Sequence, residues 1–280
     1  MHSYAQTNVQ LFNQLRSEGY SKEERERVLE AYELGMRLFT GLFLPSGKPF
    51  IDHLLGTASI LASLQVSVEI VTAGLIHAAY LHGDFGGIRK GISESKRRQV
   101  RQAVGEKVEE YVARYDRLAW SAEKILTLDN NLDHLEPVDR DVLLMRLANE
   151  LEHQLDLAAL YFAHGEKQQK GHQQYLERYG PMIASMADGL GFAALAKEMA
   201  TVFSLITLAQ VPVEPCIRSN QYVAYLILPR SCRVRFSLIF CRKLFSGYLL
   251  RVRVLNKVKS LWRRFAHSLL RMISQPTCKE

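Results

Sequence analysis

Residues 46–86 read SGKPFIDHLLGTASILASLQVSVEIVTAGLIHAAYLHGDFG, and the fold turns on how this stretch is read. PSGKPF (45–50) has the composition of a turn. IDHLLGTASILASLQ (51–65) and SVEIVTAGLIHAAYLHG (67–83) follow as apolar segments without strand-like alternation, and the expectation is two helices whose small residues permit close packing. Each carries one histidine among apolar neighbours, His53 and His77. His77 ends its apolar run just before a Gly-rich turn, where a metal ligand could stand. The usual partner of such a ligand is an acid on the next residue, and here that residue is Ala78.

Outward from this stretch the pattern stays helical. NVQLFNQLRSEG (8–19) stops at Gly19, and 21–43 opens on Ser21 with Glu24 three residues on, the signature of a capping box. Residues 95–118 are amphipathic and interrupted at Gly105. Residues 137–162 form a long segment with Asp139 and Asp141 near its start, and 171–191 and 192–209 complete the set. No strand pattern and no internal repeat is read before residue 213, so the expected class is all-α, a multi-helix bundle. The cluster RKGISESKRRQVR (89–101) reads as a solvated face, and Gly86-Gly87 as a turn too short to cradle phosphate.

The chain has 280 residues, 48% of them hydrophobic, enough for one large domain with or without an appendage. Its net charge of +7 is unevenly spread. From Pro215 to Glu280 there are 14 Lys and Arg against one acid, so the preceding part is net acidic. All four cysteines (Cys216, Cys232, Cys241 and Cys278) lie in the basic part at spacings that match no zinc motif, and they read as reduced thiols. The expected organisation is a helical domain over 1–212 and a basic, partly amphipathic extension over 213–280, divided at the prolines of VPVEP. No signal peptide and no membrane-spanning run is read, and the expected location is cytoplasmic. In the extension, Val254, Val258, Leu261, Phe265, Leu269 and Met272 share one helical face, while Arg253, Lys257, Arg264 and Arg271 share another. With Trp262 and Arg263 these cations form a candidate contact for an anionic membrane surface, which would make the protein peripheral at the inner membrane face. Packing of that face on the helical body is the other reading. No nucleic-acid fold is recognised, so nucleic acid is not an expected partner.

The candidate chemistry lies where His53, His77 and MRLANELEHQLD (145–156) meet. Two histidines on neighbouring helices and a third helix carrying Asn149, Glu152 and His153 can line one interhelical cleft, the way divalent metals are held in bundles. Here a family resemblance enters. Residues 46–86 resemble the HD-domain superfamily, and look most like the hydrolase domain of the RelA/SpoT alarmone enzymes. The family pattern S-G-x-P-[YF]-I-x-H appears as SGKPFIDH with His53, and its second helix ending L-L-H-D appears as GLIHA with His77. QAVGEKVEEYV (102–112) and VLLMRLANELEHQLDL (142–157) resemble later family segments, so the likeness spans roughly residues 22–160. No counterpart of the synthetase and regulatory domains of the long enzymes is read.

The resemblance implies an HD-type helical bundle and a metal set of two histidines and two aspartates. This sequence keeps His53 and His77 but has Ala78 and Asn149 where the aspartates belong. The family's Glu-Asp pair becomes Leu81-His82, and its base-contacting arginine becomes Leu44 or Pro45. Losing both carboxylates removes the hard oxygen ligands that a cation such as Mn²⁺ prefers, and with them the cause of an acidified water. The expectation is therefore a degenerate relative of guanosine tetra- and pentaphosphate hydrolases, a ligand-binding or regulatory module. Its partner would be a nucleotide or another phosphorylated small ligand. No cofactor is expected and no residue is assigned a catalytic role. The alternative is an active phosphohydrolase holding Mn²⁺ or another divalent metal with substitute ligands drawn from His82, Asp84, Glu150, Glu152 and His153. A further alternative is a peripheral membrane adaptor acting through the extension.

Overall fold

Local sequence signals start several of the helices. The computed structural model describes residues 3–44, 46–86, 91–156 and 166–209. Helix α1 (Asn8–Ser17) and helix α2 (Lys22–Phe39) both begin with a capping box, Thr7 with Gln10 and Ser21 with Glu24. In the second, Ser21 Oγ accepts from the Glu24 amide at 3.1 Å and the Glu24 carboxylate accepts from the Ser21 amide at 2.7 Å. Helix α3 (Phe50–Ser63) follows a tight turn, and helix α4 (Val68–Leu75) runs back beside it. Between them Gly74 has no room for a side chain, since an added Cβ would lie 2.3 Å from Leu61 Cδ1. The small residues therefore do permit the close approach of these two helices.

One expectation is corrected here. Residues 67–83 do not form one helix: α4 ends at Leu75, the backbone leaves helical geometry at Ile76 and Ala78, and a short helix α5 (Ala79–His82) follows. The physical reason is local. The amides of Ile76 and His77 bond back only three residues, to Ala73 and Gly74, and Ala78 sits near φ −88°, ψ 9°, between helix and extended regions. His77 thus stands at a helix break rather than inside a helix.

Helix α6 (Glu94–Val104) and helix α7 (Glu106–Arg117) meet at Gly105, whose φ of +84° suits glycine. The basic cluster before Gly105 is not simply a solvated face. Arg97 and Arg101 both bond the buried carboxylate of Glu109 on α7, which also accepts from Tyr80 Oη at 2.6 Å. Helix α8 (Ala122–Asn130) and a 3-10 turn over 132–134 were not foreseen. Helix α9 (Pro137–Leu155) starts with Pro at its first position, where a missing amide does no harm. Helices α10 (Glu166–Gly189) and α11 (Ala193–Leu208) pair with each other.

The class is all-α, and among the described residues the one β-type pairing is an isolated bridge between Phe43 and Pro49. Helix α9 lies against α3, α4, α7, α10 and α11. Its Leu143, Leu147 and Leu151 recur every fourth residue and are fully buried, each worth about 1.5–3 kcal/mol. No described helix is long and apolar enough to cross a membrane. The boundary near residue 212, the extension over 213–280 and its candidate contact residues lie outside the described residues.

Candidate functional site

Helix periodicity sets which residues of α9 meet α3. Asn149, Glu152 and His153 stand three and four positions apart, so they share one face. On α3, His53 and Gly56 share the face that meets them. Gly56 is required by this contact: an added Cβ would lie 2.7 Å from Glu152 Oε1 and 2.8 Å from its Cγ. The His53 ring stacks on His153 with centroids 4.3 Å apart, and meets the His77 ring edge-on at 5.4 Å. Thus His53, His77, Glu152 and His153 form one cluster, with the Asn149 side chain against His53. His53, Glu152 and His153 can each offer an atom to a metal, all within 4.8 Å of one another.

Of the remaining substitute residues, Glu150 and Asp84 make other contacts, while His82 is among the charges that lower His53. Glu150 is buried but faces Arg146 (3.8 Å) and Gln154. Being one and two residues from Asn149 and Glu152, it is turned about 100° and 200° away from them around the helix. His82 lies against Phe50 at 5.3 Å, and Phe50 in turn meets the His53 ring edge-on at 5.7 Å. Asp84 is in the loop after α5, its amide bonded to the Leu38 carbonyl at 2.9 Å.

Lys48 is the residue that sequence reasoning missed. The turn before α3 is pinned by hydrogen bonds from the Leu44 amide to the Lys48 carbonyl (2.9 Å) and from the Phe50 amide to the Leu42 carbonyl (3.0 Å). So held, the Lys48 ammonium bonds Glu152 Oε1 and lies 3.9 Å from Asp156. The other Glu152 oxygen meets His53 Nδ1. Both oxygens of this buried carboxylate are therefore occupied. The signal in the sequence was the position of Lys48 in SGKPFIDH. Nothing local said which acid it would meet, because that acid lies 104 residues away.

The histidines are neutral near pH 7. Burial, reinforced by the Lys48 ammonium, pushes His53 down to about 3. Burial, then the neighbouring His53, holds His77 well below the ordinary value. Desolvation and His53 also lower His153, although that residue keeps exposed surface. For Glu152 burial raises the pKa while Lys48 opposes the shift. A neutral imidazole carries one N–H and one lone pair. His77 Nδ1 lies 2.7 Å from the Gly74 carbonyl, which can only accept, so Nδ1 bears the hydrogen. His53 Nδ1 likewise faces carboxylate oxygen. In the His77 ring Nε2 is the nitrogen left to act as a base or ligand.

The residues present do not fit the hard divalent cation of the resembled family. Ala78 offers no donor, and Asn149 offers a neutral amide buried against His53. Glu152, the carboxylate that reaches His53, is already bonded by Lys48. A second aromatic and polar group adjoins the cluster. Tyr115 lies 4.8 Å from the His77 ring, and Arg146 bonds Tyr115 Oη at 3.2 Å and lies over Trp120.

Known proteins frame this geometry. A domain family of unknown function, DUF6817, matches residues 42–118. That stretch holds Lys48, His53, His77 and Ala78 but stops before Asn149, Glu152 and His153. A GTP pyrophosphokinase of Streptomyces antibioticus is 26% identical over 181 residues, covering 62% of this chain. The chain spans about a fifth of the length of that curated relative, 20% of it. A solved structure, described as a metazoan orthologue of SpoT that hydrolyses ppGpp, is 17% identical. It aligns over 68% of this chain and 98% of its own, with a TM-score of 0.43.

Proposed function

We propose that the helical domain binds a phosphorylated small ligand, of the guanosine tetra- and pentaphosphate class, in the cleft between α3, α4 and α9. It does so without the metal-dependent hydrolysis of the alarmone hydrolases it resembles. The observation that carries this reading is Asn149, a neutral amide buried beside His53 at the position where the resembled family has a metal-binding aspartate. With Ala78 it takes two negative charges out of the cleft while the imidazoles keep their places. A polyanion then meets uncharged side chains and the Lys48 ammonium rather than a carboxylate-held cation. The similarity to a GTP pyrophosphokinase supports a nucleotide as the ligand.

Calorimetric titration of guanosine tetraphosphate into the full chain with chelator present tests the binding. Saturable binding is expected, together with no turnover when Mn²⁺ replaces the chelator. Turnover that His77→Ala abolishes overturns the reading in favour of an active phosphohydrolase. Restoring both acids, Ala78→Asp with Asn149→Asp, is expected to create Mn²⁺ binding that the unaltered chain lacks.

A further inference from the structure

The contact between α3 and α9 carries a cation that the chain itself supplies. We infer that the Lys48 ammonium, seated on Glu152, is the resident cation of this contact: a tethered charge that does for the buried carboxylate what a bound ion would do, and that keeps divalent ions from His53 and His153. The inference shares the metal-free premise of the proposed function but does not depend on which ligand the domain binds.

His53, Glu152 and His153 form a group compact enough for a metal, with one ligand atom from each within 4.8 Å of the others. Its acid is Glu152, and both oxygens of that acid are engaged. The Lys48 ammonium bonds Oε1, and His53 Nδ1 meets Oε2. Glu152 is also held close to α3, its Oε1 and Cγ lying 2.7 and 2.8 Å from where a Gly56 Cβ would stand. An ion that enters the group therefore has to displace the ammonium from Oε1.

Charge argues in the same direction. An imidazole brings no negative charge to the group, whether neutral or protonated. The negative charge is that of Glu152, and the ammonium cancels it. A divalent ion added to this set brings two positive charges into a buried place, with the ammonium still near enough to repel it. The more exposed Asp156 lies 3.9 Å from the same ammonium and gives it a second acid. Restoring Ala78→Asp and Asn149→Asp adds two acids that one ammonium does not cancel, so Mn²⁺ binding by that variant agrees with this role.

The tether makes the replacement durable. Lys48 leaves a turn in which the Gly47 amide bonds the Leu44 carbonyl and the Leu44 amide bonds the Lys48 carbonyl, both at 2.9 Å. Its side chain is 14% exposed. A metal ion is lost to a chelator, whereas a charge fixed to a pinned backbone keeps a high local concentration in any solution. The fold thus has no need of a metal to neutralise Glu152.

The test starts from the full chain with Cys216, Cys232, Cys241 and Cys278 replaced by Ser, which removes competing thiolates. The probe is Co²⁺ alone, followed by its visible spectrum and by thermal unfolding. In this parent, neither Co²⁺ nor a chelator should move the unfolding temperature. Lys48→Met removes the charge and keeps a long side chain. It is expected to bind one Co²⁺ at least about tenfold more tightly than the parent, and Co²⁺ should raise its unfolding temperature. Lys48→Arg keeps a cation and should behave as the parent, while Lys48→Met with His153→Ala should lose the gain. If Lys48→Met does not fold, nitrogen NMR of the lysine side chains in the parent decides. The Lys48 ammonium should give a slowly exchanging signal, assigned by its loss in Lys48→Arg, that Mn²⁺ does not broaden. A folded Lys48→Met that gains no Co²⁺, a parent that binds Co²⁺ as tightly as Lys48→Met, or a Lys48 signal that Mn²⁺ broadens each overturns the inference. Those results leave guanosine tetraphosphate binding untouched, and absence of that binding leaves the resident cation standing.

Discussion

Lys48 and Glu152 show how much a single contact decides where α3 meets α9. Glu152 is 1% exposed and meets both Lys48 and His53. Taking away the ammonium leaves a buried carboxylate with one partner. Breaking a buried pair from one side costs about 3–5 kcal/mol, while replacing both charges is far milder. Lys48→Met is therefore expected to lower stability by about that amount in urea unfolding, and Lys48→Met with Glu152→Gln to recover most of it. A neutral single variant would show that the pair is solvated and weak. His53 and His77 were legible as a pair from the sequence, through the SGKPFIDH and GLIHA segments that resemble one family pattern. Lys48 was not, because a lysine in a turn carries no mark of its distant partner.

At the level of helices, two contacts make further predictions. Gly56 lets α9 close on α3, and its replacement by Ala drives a Cβ into Glu152, including the Cγ that cannot easily swing aside. Overpacking of this kind costs about 1–3 kcal/mol, and thermal unfolding of Gly56→Ala should show it. Gly171 on α10 has nothing within 4 Å of an added Cβ. There, Gly→Ala should stabilise by about 0.5–1 kcal/mol, since only the helix propensity changes.

The α6–α7 junction predicts a pH effect. Burial alone would raise Glu109, but the hydrogen bonds from Arg97, Tyr80 and Arg101 outweigh it and hold the carboxyl below its ordinary value. Its contribution to stability is therefore full above the unfolded value of about 4.5 and is lost as pH falls through the lower folded value. Glu109→Gln should destabilise the protein at pH 7 and flatten that acid-side loss in pH-dependent denaturant unfolding. The helices themselves were readable from capping and apolar spacing. The break at Ile76–Ala78 was not, since AGLIHAAYLH has no proline and no glycine at the break to announce it.

For the whole molecule, charge is divided between an acidic helical part and a basic extension. The amphipathic reading of that extension predicts co-sedimentation of the full chain with phosphatidylserine vesicles but not with neutral ones. Removing residues 248–280 should abolish it, and equal sedimentation of the shortened chain would refute the reading. The sequence by itself determined the all-α class, several helix starts and the uneven charge, because each is written in local spacing or residue identity. Only the tertiary structure decided that Glu152 and His153, and not Glu150, stand with His53, and that Lys48 closes on Glu152. Those facts depend on how α3 and α9 are rotated and how closely they approach. That rotation is set by the packing of Gly56 and the buried leucines, which no short stretch of sequence contains.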